Sequence, residues 1–207
     1  VKGIGKSKNL NFNFIQKHME LENLVEKIGS FPSIEKKLLE QRKIFLWGVV
    51  DDNSAKHVID RLFYLELEKP GEEITLYINS PGGMVTSGFA IHDAMKAITS
   101  PVSTVCMGLA ASMGSILLSA GAKGKRFVYP YARVMIHQPS GGAQGTTSDI
   151  EIATKEILKI KELGAKILSE NCNQPYERVM KDMNRDYWMN AEESVAYGIV
   201  DGILTKF

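Results

Sequence analysis

The sequence predicts an α/β fold built on a mostly parallel sheet. Short β-prone runs alternate with amphipathic helical stretches along most of the chain, and Gly, Pro, Asn and Asp punctuate the joins. No internal repeat or low-complexity tract interrupts this alternation. Strands separated by helices, rather than by two-residue turns, are joined by crossovers and therefore run parallel.

Each element follows from local signals. Residues 1–32 stand apart as an N-terminal arm: Leu10 to Phe14 and His18 to Ile28 have weak helical periodicity and mixed charge, and the arm closes at Gly29-Ser30-Phe31-Pro32. A short helix follows Ser33, with Ile34, Leu38 and Leu39 on one face, and ends near Arg42. Ile44 to Val50 is a strand. Asp51-Asp52-Asn53 caps a helix running to about Glu68, with Val58, Leu62 and Leu65 on its apolar side. After the Pro70-Gly71 turn, Ile74 to Ile78 is a strand ending in Asn79-Ser80-Pro81-Gly82-Gly83, and a helix spans about Thr86 to Ile98. Val102, Thr104, Val105 and Cys106 form a strand leading into Gly108-Leu109-Ala110-Ala111-Ser112-Met113-Gly114. The helix that starts there is stopped by Gly121. Arg126 to Tyr129 and Arg133 to Ile136 are short strands, and Gly141 to Gly145 is an extended stretch. Ser148-Asp149-Ile150-Glu151 reads as a capping box opening the longest helix, to about Glu170. Pro175 opens another helix, and Asn190-Ala191-Glu192-Glu193 caps a last one, stopped by Gly198.

Composition narrows the function classes. With 44% apolar and 24% charged residues among 207, the chain is that of an ordinary globular protein able to bury a large core. Its net charge of +1, from 25 basic and 24 acidic residues, gives no electrostatic footprint for nucleic acid or an anionic membrane. No apolar run approaches the roughly 18–20 residues of a membrane span. Val1-Lys2-Gly3 is not a signal peptide, and the lack of an initiating Met suggests a trimmed end. Cys106 and Cys172 form neither a CxxC pair nor a disulfide framework, which suits a reducing cytoplasm, and no metal site is expected. Gly5-Lys6-Ser7 resembles the end of a phosphate-binding loop but lacks the earlier glycine and the preceding strand, so ATP binding by this chain is not expected.

The chemistry concentrates on Ser112. A serine among small residues at a strand-to-helix junction is held open to a reaction partner, as a nucleophile requires, although such a junction also takes serine purely for packing. The segment is not GxSxG. Among the histidines, His57 and His92 fall inside amphipathic helices and His18 in the arm, whereas His137 ends a strand and meets Gln138-Pro139. Carboxyl ends of parallel strands are where α/β active sites collect. The acids after His137 are Asp149, Glu151, Asp182, Asp186 and Asp201. Asp186 sits before the aromatic Tyr187-Trp188, where a carboxylate can be partly buried as an orienting acid, or can pair with Arg185. For an oxyanion, Gly82-Gly83 lets backbone N–H groups approach without side-chain hindrance, and the Met113 N–H follows the nucleophile.

Together, Tyr77 to Gly83, Gly108 to Met113, Gly121 to Phe127, Met135 to Pro139, Asp149 to Ile152 and Tyr197 to Asp201 closely resemble the proteolytic-subunit (ClpP) family of Clp proteases, over about Ile34 to the C-terminus. The resemblance implies a crotonase-like α/β fold of repeated strand–helix units. It implies a Ser112–His137–Asp186 triad, an oxyanion hole from the N–H groups of Gly83 and Met113, and no cofactor. Residues 33–207 would form the peptidase domain. Within it, a handle of about 138–171 would stack two seven-membered rings, in a homo-oligomer or one mixed with a paralogue. Gly82 and the strand at Ser140, Gly141 and Gly142 would bind extended, unfolded polypeptide by its backbone. An AAA+ unfoldase of the ClpX or ClpA/ClpC kind would spend the ATP.

The chain departs from the family at its start, where Gly29 to Glu35 stand in place of the segment that forms axial pore loops, with a longer, unrelated arm ahead, and at Asn184, beside the sensor-type Arg185. Two functions follow from these features. One is a serine endopeptidase; the other is a regulatory or structural paralogue active only in a mixed ring. A crotonase-type acyl-CoA enzyme would share the fold, but offers no reason for a Ser–His–Asp set.

Overall fold

The computed structural model describes residues 34–206. The chain divides into two units, residues 1–41 and 42–207. In the first, helix α1 (Ile34–Glu40) is the described element. The N-terminal arm, its weak helical periodicity at His18 to Ile28 and the Gly5-Lys6-Ser7 motif lie outside the described residues.

The second unit carries the α/β alternation. Its elements are β1 (Lys43–Trp47), α2 (Asp52–Glu68), β2 (Ile74–Ser80), α3 (Val85–Ala97), β3 (Val102–Ala111), α4 (Met113–Ser119), β4 (Arg126–Val128), β5 (Arg133–Ile136), α5 (Thr147–Cys172), α6 (Tyr176–Asp182), β6 (Tyr187–Met189), α7 (Ala191–Tyr197) and β7 (Gly202–Ile203). Strands run in the order β1-β2-β3-β4-β7, all parallel, with β5 also on β3 and β6 antiparallel to β5. The strands bury one face of the sheet beneath the helices, and the other face of β1 stays partly exposed. Ile44, Leu46, Ile74, Leu76 and Ile78 are essentially inaccessible, as are Val58, Leu62 and Leu65 of α2 and Ile91 of α3. Each such side chain contributes on the order of 1.5–3 kcal/mol relative to exposure.

The strand before Ser112 is longer than its β-prone residues suggest. β3 continues through Gly108-Leu109-Ala110-Ala111 because it changes partner. Thr104 to Cys106 pair with β4, and Leu109 to Ala111 pair with β5. Between the two halves β2 advances two residues, Ile78 to Ser80, while β3 advances four, Cys106 to Ala110. Gly108, at φ +83°, takes part of this bulge, and a Cβ there would stand 3.0 Å from Asn79 Oδ1. Backbone pairing, rather than side-chain propensity, carries the strand up to the serine.

Capping chemistry fixes the helix starts. Asp51 with Ser54, and Asn190 with Glu193, form capping boxes. The box on α5 is Thr146 with Asp149, not the expected Ser148 with Glu151: Asp149 Oδ2 accepts from Thr146 N at 2.9 Å, so the helix begins one residue before Ser148. Pro175 precedes the first helical residue of α6 as its N-cap. The first strand stops at Trp47, short of Val50, because Gly48 turns the chain at φ +87°. Val50 is tied instead to Gly83 by an isolated bridge. No described helix is long and apolar enough to cross a membrane.

Candidate active site

Ser112 occupies the single residue between β3 and α4, at φ +55° and ψ −124°. A non-glycine residue held there stores about 1–3 kcal/mol of strain and persists only where its surroundings dictate it. Its N–H donates to Met135 O at 2.9 Å, and its carbonyl accepts from Ser115 N and Ser115 Oγ. As the N-cap of α4 it makes no side-chain cap bond. Its hydroxyl is directed elsewhere, with Oγ lying 2.9 Å from His137 Nε2.

Strand register explains both contacts of His137. Pairing of Ala111 with Met135 sets Ser112 beside the end of β5, where His137 follows Ile136. Pairing of Ile136 with Tyr187 across the antiparallel β5–β6 ladder sets His137 opposite Asp186. Accordingly His137 Nδ1 lies 3.1 Å from Asp186 Oδ1. A carboxylate only accepts, so Nδ1 carries the proton toward Asp186 and Nε2 is left to accept from the Ser112 hydroxyl.

The other acids are engaged elsewhere. Asp149 serves the α5 cap, Glu151 is exposed on α5, and Asp182 accepts from Tyr197 Oη and pairs with Arg178. Asp201 clamps Arg126, whose guanidinium holds its carboxyl below the ordinary range. Asp186 departs from expectation in one respect: its side chain is 60% exposed rather than partly buried. It precedes the edge strand β6, whose Met189 turns inward while Trp188 faces out over Arg133. His57 lies on α2, and His92, on α3, stands 3.4 Å from its neighbour Asp93.

The glycine turn is pressed against Ser112. A Cβ on Gly82, at φ +91°, would stand 2.6 Å from Ser112 Cβ and 2.9 Å from Met113 N. One on Gly83, at φ +152°, would strike Val50 O at 2.2 Å. The turn is strapped to Val50 on both sides of the Gly83 N–H, with Val50 N donating to Gly82 O and Met84 N donating to Val50 O. This sets Gly82 beside Met113 N, with Gly83 next in the chain and held against Val50.

An apolar cavity adjoins the serine, lined by Val85, Phe89, Met113, Ile116, Pro139, Ile160, Gly164 and Met183 together with Ser112 and His137. Sequence reasoning missed this cavity. Phe89 and Ile116 already lay on apolar helix faces, and periodicity cannot separate a core side chain from one facing a cavity. Ser140, Gly141 and Gly142 are exposed in the irregular stretch before α5, with Gly141 close to Ile157.

A family model for Clp protease matches residues 27–207. The chain belongs to the Clp protease family. The parallel sheet and covering helices are those of the ClpP α/β fold, and the match begins somewhat before Ile34, where the resemblance read from motifs starts. The family is one of serine peptidases, which gives the Ser112–His137 contact its chemical context. No group of three His, Cys, Asp or Glu able to hold a metal occurs among the described residues.

Proposed function

We propose that this chain is a serine endopeptidase in which Ser112 is the nucleophile, His137 the general base and Asp186 the orienting acid. One observation carries the reading: the unbroken chain of contacts from Ser112 Oγ through His137, at 2.9 Å and 3.1 Å, to Asp186. Ser112 Oγ attacks the peptide carbonyl carbon while His137 Nε2 takes its proton. The carbonyl oxygen becomes an oxyanion at the N–H groups of Gly83 and Met113, each worth about 2.7–4 kcal/mol in such sites. Collapse breaks the C–N bond, and His137 returns the proton to the leaving amine. Water, deprotonated by His137, then cleaves the acyl-enzyme and regenerates Ser112. Asp186 holds the His137 tautomer and stabilises its cation. The apolar cavity beside Ser112 favours an apolar side chain next to the scissile bond.

The family supports the usual assembly, so the reading extends to the proteolytic core of an ATP-dependent Clp protease. Two stacked rings would take unfolded polypeptide from an AAA+ unfoldase, with Gly82 and the Ser140-Gly141-Gly142 backbone pairing with the extended chain. The ATPase would hydrolyse ATP, and this chain would need no cofactor. The unpaired, buried Cys106 and Cys172 suit a reducing cytoplasm.

A second reading has one observation in its favour. The exposed Asp186 is screened by water in the single chain, as expected of a subunit active only after a neighbouring copy or paralogue covers it. A fluorophosphonate probe should label Ser112, and Ser112→Ala should abolish labelling without altering assembly. Unlabelled wild-type rings, under conditions where a known serine peptidase reacts, would defeat the endopeptidase reading. Labelling that appears only after mixing with a paralogue would favour the second.

A further inference from the structure

The helix that carries the nucleophile is held from its far end. α4 is seven residues long and begins immediately after the strained Ser112, so any tilt of the helix is a displacement of Ser112 and of the Met113 N–H. So short a helix has little stability of its own. Leu118 O takes only a long backbone bond from Gly121 N at 3.5 Å and a share of the Ala120 N–H, and side chains from three other elements complete the carbonyls at this end. Thr104 Oγ1 of β3 donates to Leu118 O at 2.7 Å. Arg126 Nη1 of β4 donates to Ser119 O at 3.4 Å. Lys96 Nζ of α3 donates to Ala120 O at 2.8 Å.

Two of these donors are cations, and they converge on one helix end. Cations there complement the negative end of the helix dipole. The Lys96 ammonium keeps this contact at a cost: partial desolvation, and then the nearby Arg126, both depress its pKa. Arg126 is itself fixed by Asp201 through Nε at 2.9 Å and Nη2 at 2.5 Å, and it also donates to Asn171 O at the end of α5. Lys96 has no such network, and its side chain does no other described work. Thr104 is fully buried, with its hydroxyl spent on Leu118 O alone among the described contacts.

We propose that Lys96 and Thr104 are positioning residues: by fixing the carboxyl end of α4, they hold Ser112 at attacking distance and Met113 N–H in the oxyanion site. This rests on the endopeptidase reading. Neither residue lines the cavity beside Ser112. A small misplacement of a reacting group far from the mutated residue is enough to cost up to about a hundredfold in rate.

The experiment uses the full-length chain as wild type, Ser112→Ala, Lys96→Met, Lys96→Arg, Thr104→Val and Thr104→Ser. Each is treated with a fluorophosphonate until labelling stops, to count reactive serines, with Ser112→Ala as the blank. Labelling rate, kcat and KM on a fluorogenic peptide are then expressed per labelled site. Lys96→Met should label to full stoichiometry but about ten- to a hundredfold more slowly, with kcat falling in parallel and KM within about twofold. Lys96→Arg, which restores a cationic donor, should recover most of the rate. Thr104→Val and Thr104→Ser form an independent pair should Lys96→Met not fold, with the valine variant slow and the serine variant near wild type.

Wild-type rates in both Lys96→Met and Thr104→Val would overturn the proposal. So would a loss accounted for wholly by fewer labelled sites, or equal slowing in the donor-restoring variants. Absence of labelling in the wild type would instead bring down the endopeptidase reading, and this inference with it.

Discussion

Ser112 and Asp186 illustrate two ways a single residue is set by its surroundings. Ser112 is forced into its backbone conformation by N–H donation to Met135 O and by α4 starting at the next residue. Asp186 is barely enclosed and contributes through one hydrogen bond, so its role and its contribution to stability should separate. Asp186→Asn places an amide against Nδ1 and favours the wrong imidazole tautomer. It should lower kcat by about 10⁴-fold with KM little changed. Its melting curve should stay within about 0.5 kcal/mol of wild type, as for a substitution at an exposed site. Steady-state kinetics beside thermal unfolding checks both, and a stable variant of normal kcat would remove Asp186 from the triad.

Gly82→Ala tests the opposite case, a residue whose absent side chain matters. The added Cβ has nowhere to go at 2.6 Å from Ser112 Cβ. Fluorophosphonate labelling should become undetectable, and unfolding should be easier by about 1–3 kcal/mol. Ser112 and His137 could be located from strand-end positions and small-residue context. Asp186 could not be chosen over Asp182 or Asp201 on local grounds, because its partner is set by the Ile136–Tyr187 register between segments about fifty residues apart in the chain.

At the scale of elements, sequence periodicity located the helices and strands well and their ends less well. The α5 start was misplaced because Thr146 and Ser148 are both competent caps, and only the Asp149 side chain turning back to Thr146 decides between them. β7, two residues on the edge of β4, has no periodicity to detect. The ties between elements were invisible for the same reason: their partners are distant in the chain. Arg42, at φ +56°, donates to Leu65 O, Lys69 O, Glu72 O and Glu73 O, and so seals the end of α2 against the start of β1.

Glu66 makes a second tie from α2, accepting from Thr99 N and Ser100 N, each at 3.0 Å, and from Thr99 Oγ1. Hydrogen bonds from Ser100 and Thr99 lower its pKa from about 4.5 to about 2. A carboxyl whose pKa is depressed on folding adds stability above its unfolded value and loses it as pH falls through the folded one. The melting temperature of wild type should therefore exceed that of Glu66→Gln at pH 6, and the gap should narrow from about pH 4.5 to close near pH 2. A constant gap over this range would show that the tie does not depend on the ionised carboxylate.

At the scale of the whole molecule, α5 is the element that a single chain leaves unfinished. Its 26 residues extend about 39 Å, yet its buried residues, Gly164, Ala165, Leu168 and Cys172, all fall in the last third. Ahead of them Ile150, Ile152, Leu158 and Leu163 are exposed. Ile152 and Leu163 stand about three turns apart and so share a face. An isolated helix of this kind would expose apolar surface for no gain, whereas two copies laid side by side would bury it. Membership of the Clp protease family, whose chains form oligomers, makes a second copy of this chain the proposed cover for that face, along a seam between the two.

Ile152 is 67% exposed, so Ile152→Glu should leave the fold of each subunit intact, with a far-ultraviolet spectrum and unfolding temperature close to wild type. Its charge would have to be desolvated at the seam. Native mass measurement should therefore find the wild-type oligomer replaced by a species of about half its mass or less. Because the irregular Ser140 to Gly142 segment leads directly into α5, with Gly141 close to Ile157, peptide cleavage should fall along with the mass. An Ile152→Glu protein with wild-type mass and activity would place the seam elsewhere. Half mass with full activity would keep the seam but free the Ser140 to Gly142 segment, and with it the active site, from dependence on it.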